Sequence, residues 1–486
     1  MAARLGIEGL EVGEGPRGKG EGRREAAVAF GGEKPGTEDP ALVVFSGGTA
    51  FNSVARHVKR VLTERVTHVL PVSDDGGSTA EICRVLGGPA VGDIRSRCLR
   101  LADSSTAEAR AVSALLAHRL PSHAGDFPLS GDGACDPAKQ EWSRIVEGEH
   151  PLWDGISEPY KNTIRAFLVH FHANILRHAT ERFDFSNGSV GNFFFAGARI
   201  FFRSLEAAIF LYSRVSGIPE GSLVLPAVCT ENRLTLGAEL RDGTVIRGQH
   251  EISHPNVEVS PCMSAGRRAD VDKEGASFQV LQSPIERVMY LSYEGMTYEH
   301  EIHLEMNPRV GAQVAKSEGI VYATGSLYTS LCPSLILKGV GECVAKAKAH
   351  KIMLLNGWHD REIHGYSAID CVNAVTSSLN RVKSGNSNGG CYSGNGELQF
   401  EPRSYISTLL VPEGSAVYCP SVDDAALADL GIEVAVVKSV KYRPQQLEPG
   451  PDAAADGVGE VFRCMFDKDA LVQAIAETLE KPTPAL

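Results

Sequence analysis

At 486 residues and 43% hydrophobic content the chain is long and apolar enough for two or three domain-sized units or one large α/β body. Its 60 acidic against 48 basic residues leave a formal charge of −12, which argues against a protein that holds nucleic acid or an anionic membrane by charge. Eleven cysteines, scattered without a CxxC pair or a short Cys/His repeat, suggest neither a zinc module nor a disulfide framework.

Residues 1–40 are rich in Gly, Glu and Arg, lack an apolar signal core and read as a disordered tail, with the cytoplasm as the default compartment. The apolar run Ala41 to Phe45 (ALVVF) then breaks into Ser46-Gly47-Gly48-Thr49 before a helix-patterned stretch, Phe51 to Leu62. Strand, glycine turn and helix in that order build a phosphate site, because glycine lets backbone N–H groups approach an anion; the plain alternative is a tight turn. A second run, Val66 to Val72, ends in Ser73-Asp74-Asp75-Gly76-Gly77-Ser78-Thr79 before a short helix, Ala80 to Leu86. A third element, Gly92-Asp93-Ile94-Arg95, opens a segment that reads as one helix from Arg97 to Leu120. Asp74 and Asp75 could cap the next helix, and Asp93 with Arg95 could form a local ion pair. In an open parallel sheet such turns gather at the carboxyl edge, where ligands bind.

Pro121 to Asp154 lacks sustained periodicity and reads as a surface insertion, near 121–157. The helix from Tyr160 to Arg182 carries His170, His172 and His178, whose spacing does not bring all three to one face, so packed or solvated histidines are expected rather than a metal site. Gly188 to Asn192 opens an apolar helix to about Val215; Arg199, Arg203 and Glu206 interrupt it, so it reads as buried and not as a membrane span. Leu223 to Ile246 has period-two patterning around the hairpin turn Arg241-Asp242-Gly243-Thr244, a small antiparallel element. Residues 254–279 and 381–403 read as further insertions. Ile320 to Ala323 leads into Thr324-Gly325-Ser326-Leu327-Tyr328-Thr329, where Ser326 or Thr329 could contact phosphate or cap a helix. Lys351 to Leu355 runs into a polar strand-end loop, Asn356 to Glu362. Ile406 to Val411 and Val434 to Val437 close the sheet, and 441–486 reads as a linker with a final helix, Asp467 to Leu479. The pattern predicts an α/β fold: a doubly wound, mostly parallel, Rossmann-like sheet over 41–440.

Ser46 to Ala50, Val72 to Ala80 and Pro89 to Ser96, in this order and spacing, resemble three turns of the CofD and YvcK-like family. The likeness resumes at Gly191-Asn192, at Leu223 to Gly248, at Gly325 to Ser330 and at Ile352 to Tyr366, and is nearer to the YvcK branch. Ala50 stands where the family usually has glycine, and Ser96 where it usually has asparagine. The resemblance implies a CofD-like fold that binds a nucleotide diphosphate. Its two branches imply either transfer of a phosphorus-containing group, as in 2-phospho-L-lactate transferases that use Mg2+, or noncatalytic binding of a UDP-sugar with a regulatory role. It places ligand contacts at Gly47, Gly48, Thr49, Asn52, Gly76, Gly77, Ser78, Arg95, Asn192, Gly325, Ser326 and Leu327. Asp74, Asp75 and Asp93 are the expected catalytic and Mg2+-holding carboxylates. A small-molecule nucleotide partner, no nucleic acid, no membrane and a homodimer are compatible with that reading. No P-loop with its lysine and no GxGxxG follows the first strand, so Walker-type ATP hydrolysis and dinucleotide binding are disfavoured.

Overall fold

In the computed structural model, residues 39–122, 136–178, 182–253, 280–292, 299–381, 400–414, 420–442 and 463–483 are described. In chain order the strands are β1 (Leu42–Phe45), β2 (Val66–Leu70), β3 (Leu223–Pro226), β4 (Thr235–Leu240), β5 (Val245–Arg247), β6 (Ile285–Ser292), β7 (His300–Ile302), β8 (Gly319–Tyr322), β9 (His350–Leu354), β10 (Thr408–Pro412), β11 (Glu433–Val437), β12 (Ser439–Tyr442) and β13 (Arg463–Phe466). Continuous apolar runs such as LVVF in β1 are buried on both faces, which is what a parallel sheet covered by helices requires. Seven strands form that sheet in the order β11-β10-β9-β8-β1-β2-β3, and every pair in it is parallel. The expected doubly wound α/β sheet is therefore present. The sheet is entered at β1, built outward through β2 to the edge strand β3, and resumed at β8, the middle strand, on the other side of β1. The strand order reverses between β1 and β8, and in open α/β sheets that reversal opens a crevice at the carboxyl edge. A four-stranded antiparallel sheet, β5-β4-β6-β7, holds the expected hairpin, whose Asp242 carboxylate accepts the Thr244 N–H at 2.9 Å. β3, read from sequence as part of that antiparallel element, belongs to the parallel sheet instead.

Four other expectations change. The single helix from Arg97 to Leu120 is two. α1 (Asn52–Val61) and α2 (Gly77–Leu86) are followed by α3 (Gly92–Leu101) and α4 (Ala107–Ala117), because Thr106 accepts the Ala109 N–H and starts a new helix. The supposed surface insertion contains α5 (Pro137–Glu147), with Asp136 as N-cap, proline in its first turn and Gly148 in the left-handed region after its end. Its Trp142 is fully buried against Phe171, Phe185 and Phe193, so this segment is core. α6 (Glu158–Arg177) follows, and its His172 accepts the Trp142 indole N–H while His170 packs on Phe201, as packed histidines. The long apolar helix divides into α7 (Val190–Phe202) and α8 (Leu205–Val215), because Arg203 adopts φ 51° and Ser204 caps the second helix. The supposed C-terminal linker carries strand pairing, β12 with β13, before the final helix, Lys468–Glu480. The expected tail over 1–38 and most of the insertions at 254–279 and 381–403 lie outside the described residues. Among the described residues no helix is long and apolar enough to cross a membrane.

Candidate functional site at the carboxyl edge

Parallel pairing puts the chain after β1, β2, β8 and β9 at one edge, so the turns at 46–50, 73–79 and 324–329 share it, as the sequence predicts. At the first turn a buried cation lies under the backbone. Arg97 follows the inward face of α3, three residues after Ile94, and is fully buried. Its guanidinium donates to the Asn52 carboxamide oxygen at 2.9 Å, to His68 Nδ1 at 2.8 Å, to Ser46 Oγ at 3.2 Å and to the Gly47 carbonyl at 3.0 Å. Burial lowers the Arg97 pKa to about 10, an effect that nearby Asp93 opposes, so the group stays a cation. Burial, with Arg97 adjacent, pushes His68 well below its usual range, so it is neutral. The Asn52 amide nitrogen donates to the Gly48 carbonyl, and to Ser96 Oγ at 3.0 Å. Carbonyls and hydroxyls of the turn thus face inward. Among the described residues no acceptor takes the N–H of Gly48 or Thr49.

Both glycines are dictated by close approach. A Cβ on Gly48 would lie 2.5 Å from the Asp93 Cα, and one on Gly47 would lie 2.7 Å from the Ser330 side chain. The second of these approaches packs the β1 turn directly against the segment that follows β8.

The second turn is tied to α3 and α7. Asp74 accepts the Gly76 N–H at 3.1 Å, and its other oxygen lies 2.9 Å from where Gly92 would carry a Cβ. Asn192, second after Val190 at the start of α7, donates to Ser78 Oγ at 3.0 Å and to Thr79 Oγ1 at 3.4 Å, and accepts from Arg95 Nε at 3.1 Å. Ser78, Arg95 and Asn192 are therefore brought together, with Arg95 and Asn192 buried. Gly76 is half-buried and Gly77 exposed at φ 51°. Asp75 departs from the expectation. It turns aside to accept the His250 N–H at 2.9 Å, so three carboxylates do not converge. Among the described residues no group of three His, Cys, Asp or Glu side chains is placed to hold a metal ion. Asp74 and Asp93 remain at the edge, half-buried, one against Gly92 and the other against Gly48.

The β8 turn is built by partners that sequence reasoning left unassigned. Gly325, at φ 144°, donates its N–H to the Asn356 carboxamide at 3.0 Å and receives the Asn356 amide on its carbonyl at 2.7 Å. Ser326 precedes a π-helical turn, Leu327–Leu331, without capping it through its side chain; Leu327 is buried. Behind that turn is Glu362, 2% exposed. One carboxylate oxygen accepts the Tyr328 N–H at 2.8 Å and the Thr329 N–H at 3.1 Å, and the other accepts the Thr329 hydroxyl at 2.6 Å. Burial, reinforced by the Asp360 carboxylate, pushes its pKa up to about 7 against those three bonds. Thr329, expected to meet phosphate or cap a helix, bonds to this carboxylate.

The chain is similar in sequence to one family of proteins over most of its length. The family model described as 2-phospho-L-lactate transferase CofD matches residues 42–420. A Saccharomyces cerevisiae protein named only as uncharacterized is 33% identical over 418 residues, covering 76% of this chain and 89% of its own. A putative gluconeogenesis factor of Clostridium acetobutylicum is 23% identical over 69% of this chain, which spans only 53% of that protein. The gluconeogenesis factor of Bacillus subtilis is 23% identical over 70% of this chain and 76% of its own length. A solved structure of a UPF0052 family member from Bacillus halodurans superposes with a TM-score of 0.56 at 18% identity, covering 90% of this chain and all of that one, a likeness of fold. With the motifs, the parallel sheet and a family match over most of its length, the chain belongs to the CofD family.

Proposed function

We propose that the carboxyl edge binds a nucleotide diphosphate and supports transfer of a phosphorus-containing group, as the family's 2-phospho-L-lactate transferases do. The observation that carries this reading is the first turn. Two backbone N–H groups without acceptors among the described residues follow directly on Ser46 and Gly47, which a fully buried guanidinium holds, and that combination favours an anion. Arg95, fixed by Asn192, adds positive charge on the α3 side. Phosphoryl transfer needs positioning and charge neutralisation more than an activated side chain, so this reading asks for no nucleophile–base pair. Asp74 and Asp93 fit Mg2+, which takes hard oxygen ligands and commonly only one or two carboxylates beside substrate phosphates. When bound there, Mg2+ would neutralise charge on the leaving phosphate.

A second reading, a noncatalytic UDP-sugar-binding regulator, draws on the placement of Asp75 away from the other two carboxylates. A thermal-shift panel of GDP, UDP, UDP-sugars and NAD, each with and without Mg2+, tests both, because a ligand that binds the folded chain raises its melting temperature. Mg2+-dependent stabilisation by a nucleoside diphosphate supports the transferase, and Mg2+-independent stabilisation by UDP-sugars supports the regulator. No shift with any of them would end the nucleotide reading. For the transferase, Asp93→Asn should abolish turnover more than it weakens nucleotide binding.

A further inference from the structure

The two turns that flank the crevice at the β1/β8 reversal have opposite polarity. On the β1 side the buried group is a cation, and Arg97 takes oxygens, while no acceptor among the described residues takes the N–H of buried Gly48 or exposed Thr49. On the β8 side the buried group is a carboxyl, and Glu362 takes the very donors that would otherwise face an anion: the amides of Tyr328 and Thr329 and the Thr329 hydroxyl. Asp360, whose carboxylate accepts the Glu362 and Ile363 N–H groups, adds a second acid behind this turn; the neighbouring Arg361 makes no hydrogen bond through its buried Nε and Nη1 among the described residues.

We infer that Glu362 is a resident carboxyl group that closes the Tyr328 and Thr329 amides to phosphate and so orients the ligand, phosphates on the Gly47–Thr49 side and the uncharged moiety on the Gly325–Leu327 side. This rests on the edge being a nucleotide site. Glu362 acts through the turn, as a positioning residue. Its closure does not depend on ionisation: the oxygen that takes two N–H bonds keeps them when the other carries a proton, with the Thr329 hydroxyl then accepting. The same reasoning makes Gln at 362 a faithful substitute and Ala an opened site.

Amide hydrogen exchange on the full chain tests this with inorganic pyrophosphate, which has no base or sugar. In the wild type pyrophosphate should slow exchange over residues 46–52 and leave 326–331 at the ligand-free rate, whereas GDP or UDP should slow both. Equal slowing of 326–331 by pyrophosphate would overturn the inference. Glu362→Ala should raise ligand-free exchange at 326–331 about tenfold, as expected for lost buried hydrogen bonds, and pyrophosphate should then slow it there. Glu362→Gln should stay within about twofold of wild type at the same amides. If Glu362→Ala does not fold, the wild-type pyrophosphate result decides alone. If neither pyrophosphate nor a nucleotide slows any segment of the wild type, the nucleotide reading fails and the orientation with it. The Ala-against-Gln difference without ligand still judges the brace, and equal rates in the two variants would refute it.

Discussion

The β1 turn and the β8 turn share one edge of the sheet, yet one is held from below by a guanidinium and the other by a carboxyl group. A buried cation gathers oxygens and takes no amide; a buried carboxyl group gathers amides, here those of Tyr328 and Thr329, and withholds them from a ligand. Two loops of similar sequence character, each polar and glycine-containing at a strand end, therefore differ in what they can bind. The difference comes from a single side chain contributed by another element: α3 in one case and the loop after β9 in the other.

Breaking the cation should have the largest effect. Arg97→Met leaves Asn52, His68, Ser46 and the Gly47 carbonyl without their shared donor inside the core, and should cost about 3 kcal/mol in urea denaturation. Arg97→Lys should not restore it, because one ammonium cannot reproduce the guanidinium's fork of donors. Unchanged stability in either variant would remove the cation from the account.

Gly48→Ala comes next, at about 2 kcal/mol, since its Cβ would meet the Asp93 backbone at 2.5 Å and the helix start cannot easily give way. Gly47→Ala meets only the Ser330 side chain and should cost less. Bulk at Gly48 therefore disturbs the fold as well as any ligand that approaches the turn.

On the anionic side the test is pH. Glu362 has a folded pKa of about 7 against an ordinary 4.5, so folding takes up a proton between those values. The stability it contributes is fully present below the unfolded pKa and is lost as pH rises through the folded one. Wild type should thus lose stability from pH 4.5 toward neutrality relative to Glu362→Gln, which carries no such proton. Parallel stability–pH curves for the two would contradict the burial argument. Thr329→Val, which deletes one hydroxyl bond to the same carboxyl, should cost about 1 kcal/mol. Smallest of all, Asp75→Asn should change stability by about 0.5 kcal/mol, because its bond to the His250 N–H is exposed.

Much of the framework is legible in the sequence because buried parallel strands are uninterrupted apolar runs: β1, β2, β8 and β9 lie within a residue or two of where those runs place them. Helix breaks were not legible where a local device overrides periodicity, as with Arg203 at φ 51° inside an apolar stretch. Trp142 was hidden by the loop-like composition on either side of it. In the site, glycines and the Ser78–Arg95–Asn192 convergence follow from motif order. Arg97 had a usable signal, for it shares the inward face of α3 with Ile94, Cys98 and Leu101. Glu362 had only a coarse one, its place in the polar strand-end loop Asn356 to Glu362: a loop residue's direction depends on how the chain after β9 folds back, and neither periodicity nor spacing encodes that. Asp75 shows the converse, a motif residue diverted to a neighbouring backbone that sequence cannot place.

The most direct test of the central claim is an experimental structure of the full chain with GDP or UDP bound. The account predicts the diphosphate against the amides of Gly48 and Thr49, in the crevice between the ends of β1 and β8, with the nucleoside toward Gly325–Leu327. A diphosphate on the Tyr328 and Thr329 amides, or a nucleotide bound away from this edge, would contradict it.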